Sequence, residues 1–405
     1  MKIINLRYSK ITLTLATLMA SASTLAATIG DDTNLKLSPA SAGMAGVGYV
    51  MPQDAVASVY GNPATLTQLK GNTDFTFGAT YLNVSNKSSS DGTDGLPAFN
   101  GDIEMEHYLL PEVAVRQRLS DNLVIGSGLQ VISGLGADYR STHALDPTVT
   151  FITFGANMAA AYDLSPKTTV GASMTLAYSL LEIGLVSNTG IQETFGLRGG
   201  LGITHDLGMV KLGLNYNSEL ALDFNDVVQS APGVYSNLKV EQPQEVIFGI
   251  ASTPELWTDL LLEANVIYKN WDNAETYQDI WKDTYTLQLG GQYKLNNKFK
   301  LRAGYSYTSD LLKENGLGSS LGEVNSLNVG GSAAPISPGL IQFIQSTLAD
   351  PFWNHSVTVG LGYDFNENTT LDVHGGYGFG PDQTIGANQI EVGIFSVGAG
   401  VTWTF

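Results

Sequence analysis

The sequence contains no cysteine, few basic residues and no long apolar segment beyond its N-terminus. None of the 405 residues is cysteine, so disulfide bonds do not hold the fold together. No run of about 18 apolar residues follows the N-terminus, which excludes a helical membrane span. Lysine and arginine number 20 against 38 acidic residues, and no cluster of basic residues is present to neutralise phosphates. The composition therefore predicts no nucleic-acid partner.

Glycine and apolar residues are abundant instead. Glycine supplies 45 of the 405 residues and apolar residues 43%, whereas charged residues supply only 14%. A soluble domain usually carries about 25% charged residues. This composition is too hydrophobic for a disordered chain and too poorly charged for an ordinary soluble one.

The N-terminus has the three parts of a signal peptide. Lys2, Arg7 and Lys10 are basic, 11–19 is a short apolar stretch, and small residues follow at 21–27. About nine apolar residues are too few to cross a bilayer as an anchor. We predict a signal peptide over 1–26, with cleavage after residue 26 and residues 22 and 27 as alternative sites. The protein is thus expected to be exported.

Apolar side chains alternate with small polar ones along most of the remaining chain. Clear examples are 167–180, 298–308 and 356–365. A period of two places the two sets on opposite faces of a strand. About fourteen such segments are predicted, at 72–85, 104–119, 122–133, 148–162, 167–181, 191–206, 209–219, 243–252, 256–270, 281–295, 298–310, 353–365, 368–379 and 390–405.

Short polar turns alternate with longer links between these strands. Turns such as 119–122 and 163–166 are rich in Asn, Asp, Ser and Pro, and the longest link covers 311–352. This alternation is typical of an outer-membrane barrel, and so is a last strand whose aromatic face ends at Phe405. A soluble sandwich would need a charged outer face. Tryptophans near the strand ends are expected to form interfacial girdles: Trp257, Trp271, Trp281, Trp353 and Trp403. The predicted fold class is all-β, a transmembrane antiparallel barrel of about 14 strands.

Residues 27–71 do not follow the strand pattern and carry helical signals. Asp54 is placed to cap a helix of two turns that ends at Gly61. Asn62 is placed to cap a second helical segment, with Pro63 at its first position. An uncharged segment of small residues before the first strand is expected to sit in the barrel lumen. A flexible tail would be more polar.

This segment also resembles a known family. The sequence SPASAGMAGVGYVMPQDAVASVYGNPATLTQL at 38–69, followed by the fourteen-strand pattern, resembles the FadL family of outer-membrane transporters for long-chain fatty acids and related hydrophobic compounds, including aromatic hydrocarbons. The resemblance implies that 27–71 is a hatch inside a barrel formed by 72–405. It also implies that Asn62, Pro63 and Ala64 are the hatch motif.

The resemblance implies a mode of transport as well. Family members take up ligand passively as monomers, capture it among the outer loops and release it sideways through a gap at the third strand. It further implies outer-membrane lipid, lipopolysaccharide and the barrel-assembly machinery as partners. The expected location is the outer membrane of a Gram-negative bacterium.

Candidates for the lateral gap can be named from the residues. Pro111 lies inside the second strand and cannot donate a ladder hydrogen bond. Gly126 and Gly128 in the third strand permit bends and bulges. These glycines could equally fit a crowded lumen, and Pro111 could lie near a strand end.

The strand register points three arginines inward as candidates for binding a carboxylate. They are Arg116, Arg198 and Arg302, and an arginine can bind both carboxylate oxygens at once. For any single arginine, pairing with acidic residues in the lumen to hold the hatch is the favoured alternative, because an unpaired buried charge is costly. Inward acidic residues accompany them: Glu104, Glu106 and Glu112. The acidic excess of the chain keeps an uncharged ligand as an open alternative.

The longest link contains a predicted helix. Ser337 is placed to cap it, Pro338 to start it, and Leu340, Phe343 and Ile344 belong to its apolar stripe. This stripe is predicted to form one wall of a ligand groove, or a lid packed on neighbouring loops. The link at 182–190 is very short, which departs from the larger family members, whose ligand groove lies among the outer loops.

No catalytic, cofactor or metal site is predicted. The sequence lacks a nucleophile elbow, a phosphate loop and a pair of histidines at metal-ligand spacing. Three functions remain: a channel for long-chain fatty acids or similar hydrophobic compounds, with uncharged aromatic hydrocarbons as the alternative ligand; an open diffusion porin; and a structural or adhesive surface protein. The first is favoured because a porin needs an open lumen rather than a plug of about 45 residues.

Overall fold

The computed structural model describes residues 38–92, 97–103, 107–185, 187–188, 190–348 and 353–405. The predicted signal peptide, the start of the predicted hatch, Glu104 and Glu106 lie outside these ranges. Two helices are α1 (Pro39–Ala42) and α2 (Pro338–Thr347). The strands are β1 (Thr73–Ser90), β2 (Phe99–Asp102), β3 (His107–Arg118), β4 (Leu123–Asp138), β5 (Thr148–Ser165), β6 (Thr168–Leu185), β7 (Ser187–Asn188), β8 (Gln192–Asp206), β9 (Lys211–Asn217), β10 (Leu220–Ala231), β11 (Val234–Gln242), β12 (Glu245–Ser252), β13 (Leu260–Lys269), β14 (Thr284–Lys294), β15 (Phe299–Thr308), β16 (Ser326–Val329), β17 (Ser332–Pro335), β18 (His355–Asn366), β19 (Thr369–Phe379), β20 (Gln383–Ile385) and β21 (Asn388–Thr404).

Fourteen of these strands form a closed antiparallel barrel. Each pairs with its neighbour along the chain, and β21 closes the sheet on β1, from Thr404 opposite Asp74 to Asn388 opposite Ser90. Closure pairs the backbone groups of the last strand with those of the first, as a sheet in lipid requires. The predicted fold class is confirmed. The barrel strands are β1, β3, β4, β5, β6, β8, β9, β12, β13, β14, β15, β18, β19 and β21.

The outer face of the barrel is apolar and the inner face is small or polar. Phe195, Leu197 and Leu201 alternate along β8 with buried or half-buried residues, and each is more than 60% exposed. Inward positions carry Gly, Ser and Thr, as at Gly200 and Thr204. An exposed apolar band is the surface that lipid covers. Within the described ranges, no helix is long and apolar enough to cross a membrane.

The connections fall into two classes at the two ends of the barrel. Turns at one end are short, such as 119–122 and 367–368, and the chain end at Phe405 lies there too. The opposite end carries the long loops at 218–244, 270–283 and 309–354. In outer-membrane barrels the short turns face the periplasm and the long loops face outward.

Two features of the outer loops differ from the sequence expectation. Residues 220–242, predicted as a plain link, form the hairpin β10–β11, which packs on the inner side of β8. Trp271 and Trp281 are fully buried and Trp353 nearly so, whereas Trp257 is exposed. The expected girdle role is therefore wrong for these three tryptophans, because the loops fold over them.

Residues 38–71, here called the inner segment, lie inside the barrel. α1 contacts β18, β19 and β21, and the helical turn Pro63–Gln68 contacts β5, β6 and β8 on the other side. Asp54 Oδ1 accepts a hydrogen bond from the backbone of Ala57 at 3.0 Å, which confirms the predicted cap. Asn62 Oδ1 likewise accepts from the backbone of Ala64 at 3.1 Å, with Pro63 at the first helical position.

Inward glycines make room for the inner segment on many strands. Gly43 Cα would lie 3.0 Å from a Cβ at Gly360, and Val59 Cγ2 would lie 2.7 Å from one at Gly126. At Gly202 a Cβ would overlap the side chain of Asn62. Real Cβ atoms do not approach this closely, so glycine is needed where the segment touches the wall. Further glycines in such contact are Gly78, Gly128, Gly171, Gly213, Gly249, Gly290, Gly304 and Gly400.

Replacing one of these glycines should destabilise the docked inner segment. We expect Gly202→Ala to lower the free energy of unfolding by about 1–3 kcal/mol, because the added methyl group overpacks the contact with Asn62. Urea unfolding of the detergent-solubilised protein measures this. The control is Gly199→Ala on the same strand, where a Cβ meets nothing within 4 Å. Equal loss in both variants would contradict the interpretation.

Candidate ligand cavity and lateral break

An apolar cavity of about 80 Å³ lies beneath the outer loops. Its walls come from the outer ends of β5 and β6, the hairpin β10–β11, the loops at 276–280 and 321–328, and α2. Most of its lining is aliphatic or aromatic, and none of the lining residues carries a charge. Its members are Val149, Phe151, Leu181, Ile183, Gly184, Leu185, Val228, Gln229, Leu238, Val240, Thr276, Tyr277, Ile280, Leu321, Val324, Leu327, Asn328, Ile344 and Leu348.

Helix α2 forms part of the cavity wall, as its predicted apolar stripe suggested. Ser337 Oγ accepts from the backbone of Leu340 at 3.2 Å, which confirms the cap, and Pro338 begins the helix. Leu340, Phe343 and Ile344 are all buried. Only Ile344 of these three lines the cavity. The stripe therefore serves as a cavity wall on one side and packs on loops on the other.

The lysines in the loops around the cavity are paired with carboxylates. Lys239 Nζ lies 2.9 Å from Glu275. The same distance separates Lys282 and Asp310, and Lys313 lies 2.8 Å from Asp272. The ammonium groups of these three lysines are therefore already paired with carboxylates of the protein.

The hydrogen-bonded ladder of the barrel wall is incomplete between β3 and β4. Paired residues run from Arg118–Val124 to Glu112–Gln130 and stop there. Beyond that rung, 107–111 pair only with β1 and 131–138 only with β5, among the described residues. β4 also carries a bulge between Val131 and Ser133. We call this interruption the lateral break.

The three predicted gap residues fall at different places relative to the lateral break. Pro111 is the neighbour of Glu112 on the outer side of the last pair, so it lies at the start of the unpaired edge of β3. Gly126 and Gly128 lie within the paired part, opposite Arg116 and Ala114. There they face Val59 and Tyr60 of the inner segment, so the contact that requires glycine is with that segment.

Arg116 is fully buried and holds the end of the inner segment. Its guanidinium donates to the backbone oxygens of Leu66 at 2.9 Å, Leu69 at 2.7 Å and Gly71 at 3.0 Å. It also forms an ion pair with Asp74 at 2.6 Å. Each of the three guanidinium nitrogens thus donates to a protein oxygen, the arrangement that a buried arginine needs.

The other two predicted arginines are also bound to protein groups. Arg302 pairs with Asp372 at 2.6 Å and donates to Gln292 Oε1 at 2.8 Å. Arg198 donates to the backbone oxygens of Ser218 at 2.6 Å and Pro243 at 2.8 Å, at the base of the hairpin β10–β11. None of the three arginines lines the apolar cavity.

Asn62, Pro63 and Ala64 contact the barrel wall closely. Asn62 Nδ2 donates to the backbone oxygen of Tyr49 at 3.0 Å and so ties two parts of the inner segment together. Pro63 and Ala64 lie against Gly171 of β6. A single asparagine thus caps one helical turn and crosslinks the segment.

Sequence reasoning missed Glu263 as a binding residue. Its carboxylate accepts three backbone hydrogen bonds from the inner segment, from Gly48 at 2.9 Å, Val50 at 3.1 Å and Met51 at 2.9 Å. The sequence signal was an acidic residue at an inward position of β13. The three donors lie more than 200 residues away, so no local pattern could pair them.

Buried Asp54 has a perturbed ionisation. Burial raises the pKa of the Asp54 carboxyl from 3.8 to about 6, and hydrogen bonds with Ser38 and Ala57 oppose this only partly. The nearby charges of Asp372 and Arg302 act in opposite directions.

The described part of the chain holds no group of three His, Asp or Glu residues that could bind a metal ion. What it does hold is a closed barrel with an internal segment, a loop-covered apolar cavity and a break in the wall. These features define the class of plugged outer-membrane channels.

A family model described as "Outer membrane protein transport protein (OMPP1/FadL/TodX)" matches residues 17–233, more than half of the chain. The chain belongs to this family of outer-membrane proteins of Gram-negative bacteria, which transport hydrophobic small molecules. Comparison with curated protein sequences gives no match.

Several solved structures share the fold. The toluene transporter TodX of Pseudomonas putida is 17% identical with a TM-score of 0.64, over 92% of this chain and 99% of that one. A FadL homologue of Pseudomonas aeruginosa is 12% identical with a TM-score of 0.66, over 94% and 100%. The toluene transporter TbuX of Ralstonia pickettii is 16% identical with a TM-score of 0.62, over 92% and 99%.

Removing the Arg116 side chain should loosen the inner segment. Breaking a buried ion pair by removing one partner typically costs about 3–5 kcal/mol, and the hydrogen bonds to the backbone oxygens of Leu66, Leu69 and Gly71 are lost here as well. We expect Arg116→Met to raise single-channel conductance in planar bilayers. The control is Lys300→Met, which breaks the half-exposed pair with Asp364 in the same half of the barrel. Conductance that stays at the wild-type value in Arg116→Met would overturn this role.

The ionisation of Asp54 should make stability depend on pH. Because its folded-state pKa of about 6 exceeds its ordinary value of 3.8, the folded protein binds this proton more tightly than the unfolded chain does. The contribution to stability is therefore fully present below pH 4 and is lost as pH rises through 6. Urea unfolding should give a larger free energy at pH 5 than at pH 7.5, and Asp54→Asn should reduce that difference. An identical difference in the variant would argue against Asp54 as its source.

Proposed function

We propose that this protein mediates passive uptake of small uncharged hydrophobic compounds, with monoaromatic hydrocarbons as the favoured class. The observation that carries the proposal is the apolar cavity beneath the outer loops, whose lining contains no charge. A ligand would be captured there, pass the barrel mouth and leave sideways at the lateral break. Residues 38–71 act as the described part of a hatch that closes the lumen.

The chemistry of the cavity favours an uncharged ligand over a fatty acid. An ionised carboxylate taken from water into apolar surroundings needs a partner of opposite charge. The polar side chains of its lining are Gln229, Thr276, Tyr277 and Asn328, and it contains no cation. A hydrocarbon needs no such partner and gains from the burial itself.

The positions of the arginines support the same choice. Arg116, Arg198 and Arg302 donate to carboxylates and backbone oxygens of the protein. Loop lysines beside the cavity are paired as well. Binding a ligand carboxylate would require one of these pairs to break.

Proteins of similar structure support this choice. Two relatives are described as toluene transporters and a third, CymD, as a monoaromatic hydrocarbon channel. CymD is 17% identical with a TM-score of 0.62. At this identity the likeness concerns the fold, so the ligand is argued from the cavity of this chain.

The proposed route leaves through the wall because the lumen is obstructed. The inner segment contacts strands on all sides of the barrel and is held by Arg116, Glu263 and Asn62. The lateral break borders β4, whose other edge pairs with β5, a wall of the cavity. Cavity and break are thus neighbours in one barrel, which supports action as a monomer.

Filling the cavity should slow uptake. Val240 lines the cavity, and we expect Val240→Phe to lower toluene uptake about tenfold through overpacking of the site. Uptake of labelled toluene is measured in cells that lack other hydrophobic-compound channels, with labelled oleate in parallel. The control is Val234→Phe at the exposed tip of the same hairpin.

The outcomes separate the candidate functions. Toluene uptake that depends on the protein and falls only in Val240→Phe supports the proposal. Oleate uptake without toluene uptake would overturn it in favour of fatty acids. If neither compound enters faster with the protein, a structural or adhesive role becomes the better explanation.

A further inference from the structure

The outer end of the lateral break is spanned by contacts between β2 and the loop that follows β4. β2 continues the edge of β3 upward, because it pairs with the outer part of β1, from Asp102–Lys87 to Phe99–Ser90. On the other side of the break, the loop 139–147 follows β4. This loop leans on β2, since a Cβ at Gly101 would lie 2.8 Å from Thr142.

Three rings meet across this junction. Phe99 at the start of β2 and His143 in the loop 139–147 have ring centroids 4.6 Å apart, in an edge arrangement. Phe343 of α2 lies 5.3 Å from His143 and 6.1 Å from Phe99. We call Phe99, His143 and Phe343 the aromatic gate, because they join the two sides of the lateral break.

The gate is connected to the cavity through α2. Phe343 enters the aromatic gate, whereas the next residue, Ile344, lines the cavity together with Leu348. Successive helical residues lie about 100° apart around the axis, so one helix presents both surfaces. Helix α2 therefore links the cavity wall to the aromatic gate.

His143 brings an unused hydrogen-bond donor to the gate. Its Nδ1 accepts from the backbone N–H of Leu145 at 2.9 Å, which assigns the proton of the neutral ring to Nε2. Burial lowers the pKa of His143, which favours this neutral form. Among the residues that the structure describes, Nε2 has no hydrogen-bond partner, although His143 is only 4% exposed. A buried donor without an acceptor is costly, and a ligand acceptor would relieve that cost.

We propose that the aromatic gate is a ligand subsite at the lateral break, in which His143 Nε2 donates a hydrogen bond to the oxygen of a neutral hydroxylated aromatic compound. The rings of Phe99 and Phe343 offer edge and face contacts to the aromatic part of the ligand. This subsite gives oxygenated aromatics an advantage over plain hydrocarbons of the same shape. The inference rests on the proposed uptake of uncharged compounds and adds a preference within that class.

A pair of matched ligands tests the preference. Naphthalene and 1-naphthol share a ring system and differ by one hydroxyl group, and both can be followed by fluorescence. Their uptake is compared in porin-deficient cells that carry wild type, His143→Phe or His143→Gln. Phenylalanine keeps a ring and removes the donor, whereas glutamine restores an amide N–H donor.

The expected result is a change in the ratio of the two uptake rates. His143→Phe should lower the ratio of 1-naphthol to naphthalene uptake about five- to tenfold, the effect of one neutral hydrogen bond. His143→Gln should keep the ratio nearer to wild type. An unchanged ratio in His143→Phe would overturn the subsite. Failure of labelled toluene to enter the same cells through the wild-type protein would instead count against the proposed function.

A measurement on the wild-type protein tests the proposal even if the His143 variants fail to fold into the outer membrane. Nitrogen-15 histidine labelling reports the Nε2–H resonance of His143 directly. Addition of 1-naphthol should shift this resonance, whereas naphthalene at the same occupancy should shift it far less. Equal shifts with both ligands would contradict a hydrogen bond to the hydroxyl group.

Discussion

The structure depends on the pairing of backbone groups in a layer that contains no water. Closure of β21 on β1 satisfies the edges that an open sheet would expose to lipid. The lateral break beyond the Glu112–Gln130 pair departs from this backbone pairing. Pro111, which has no N–H to offer either neighbour, lies at its edge. An unpaired strand edge is costly in lipid, and contacts between β2 and the loop 139–147 span the outer end of this one.

The inner segment shows how polar groups fix a small uncharged chain inside the barrel. Arg116 binds its end through carbonyl oxygens, Glu263 binds its middle through N–H groups, and Asn62 crosslinks it. Each contact gives a hydrogen-bond partner to backbone groups that the short helical turns leave unpaired. Inward glycines then let the backbone approach the wall. The charges that looked suited to a ligand are thus used for internal anchoring.

Much of the fold could be predicted from the sequence. Strand periodicity and turn chemistry predicted the fourteen barrel strands, and Asp54, Asn62 and Ser337 were recognised as caps from a few neighbouring residues. The hairpin β10–β11 was missed because its strands turn inward and face loops rather than lipid. The girdle role predicted for Trp271 and Trp281 was wrong because burial under a loop leaves no periodic pattern in the sequence.

The sequence by itself determined the barrel, its location and the existence of an inner segment, because these follow from local patterns of period two, capping residues and composition. Only the tertiary structure decided what the inward residues do. Arg116 meets Asp74, Glu263 meets Val50, and His143 meets Phe343 across long sequence separations. Such partners depend on barrel register and loop folding, and a one-residue change in register would exchange the inner and outer faces of a strand. The uncharged cavity and the aromatic gate could therefore be identified only from the tertiary structure.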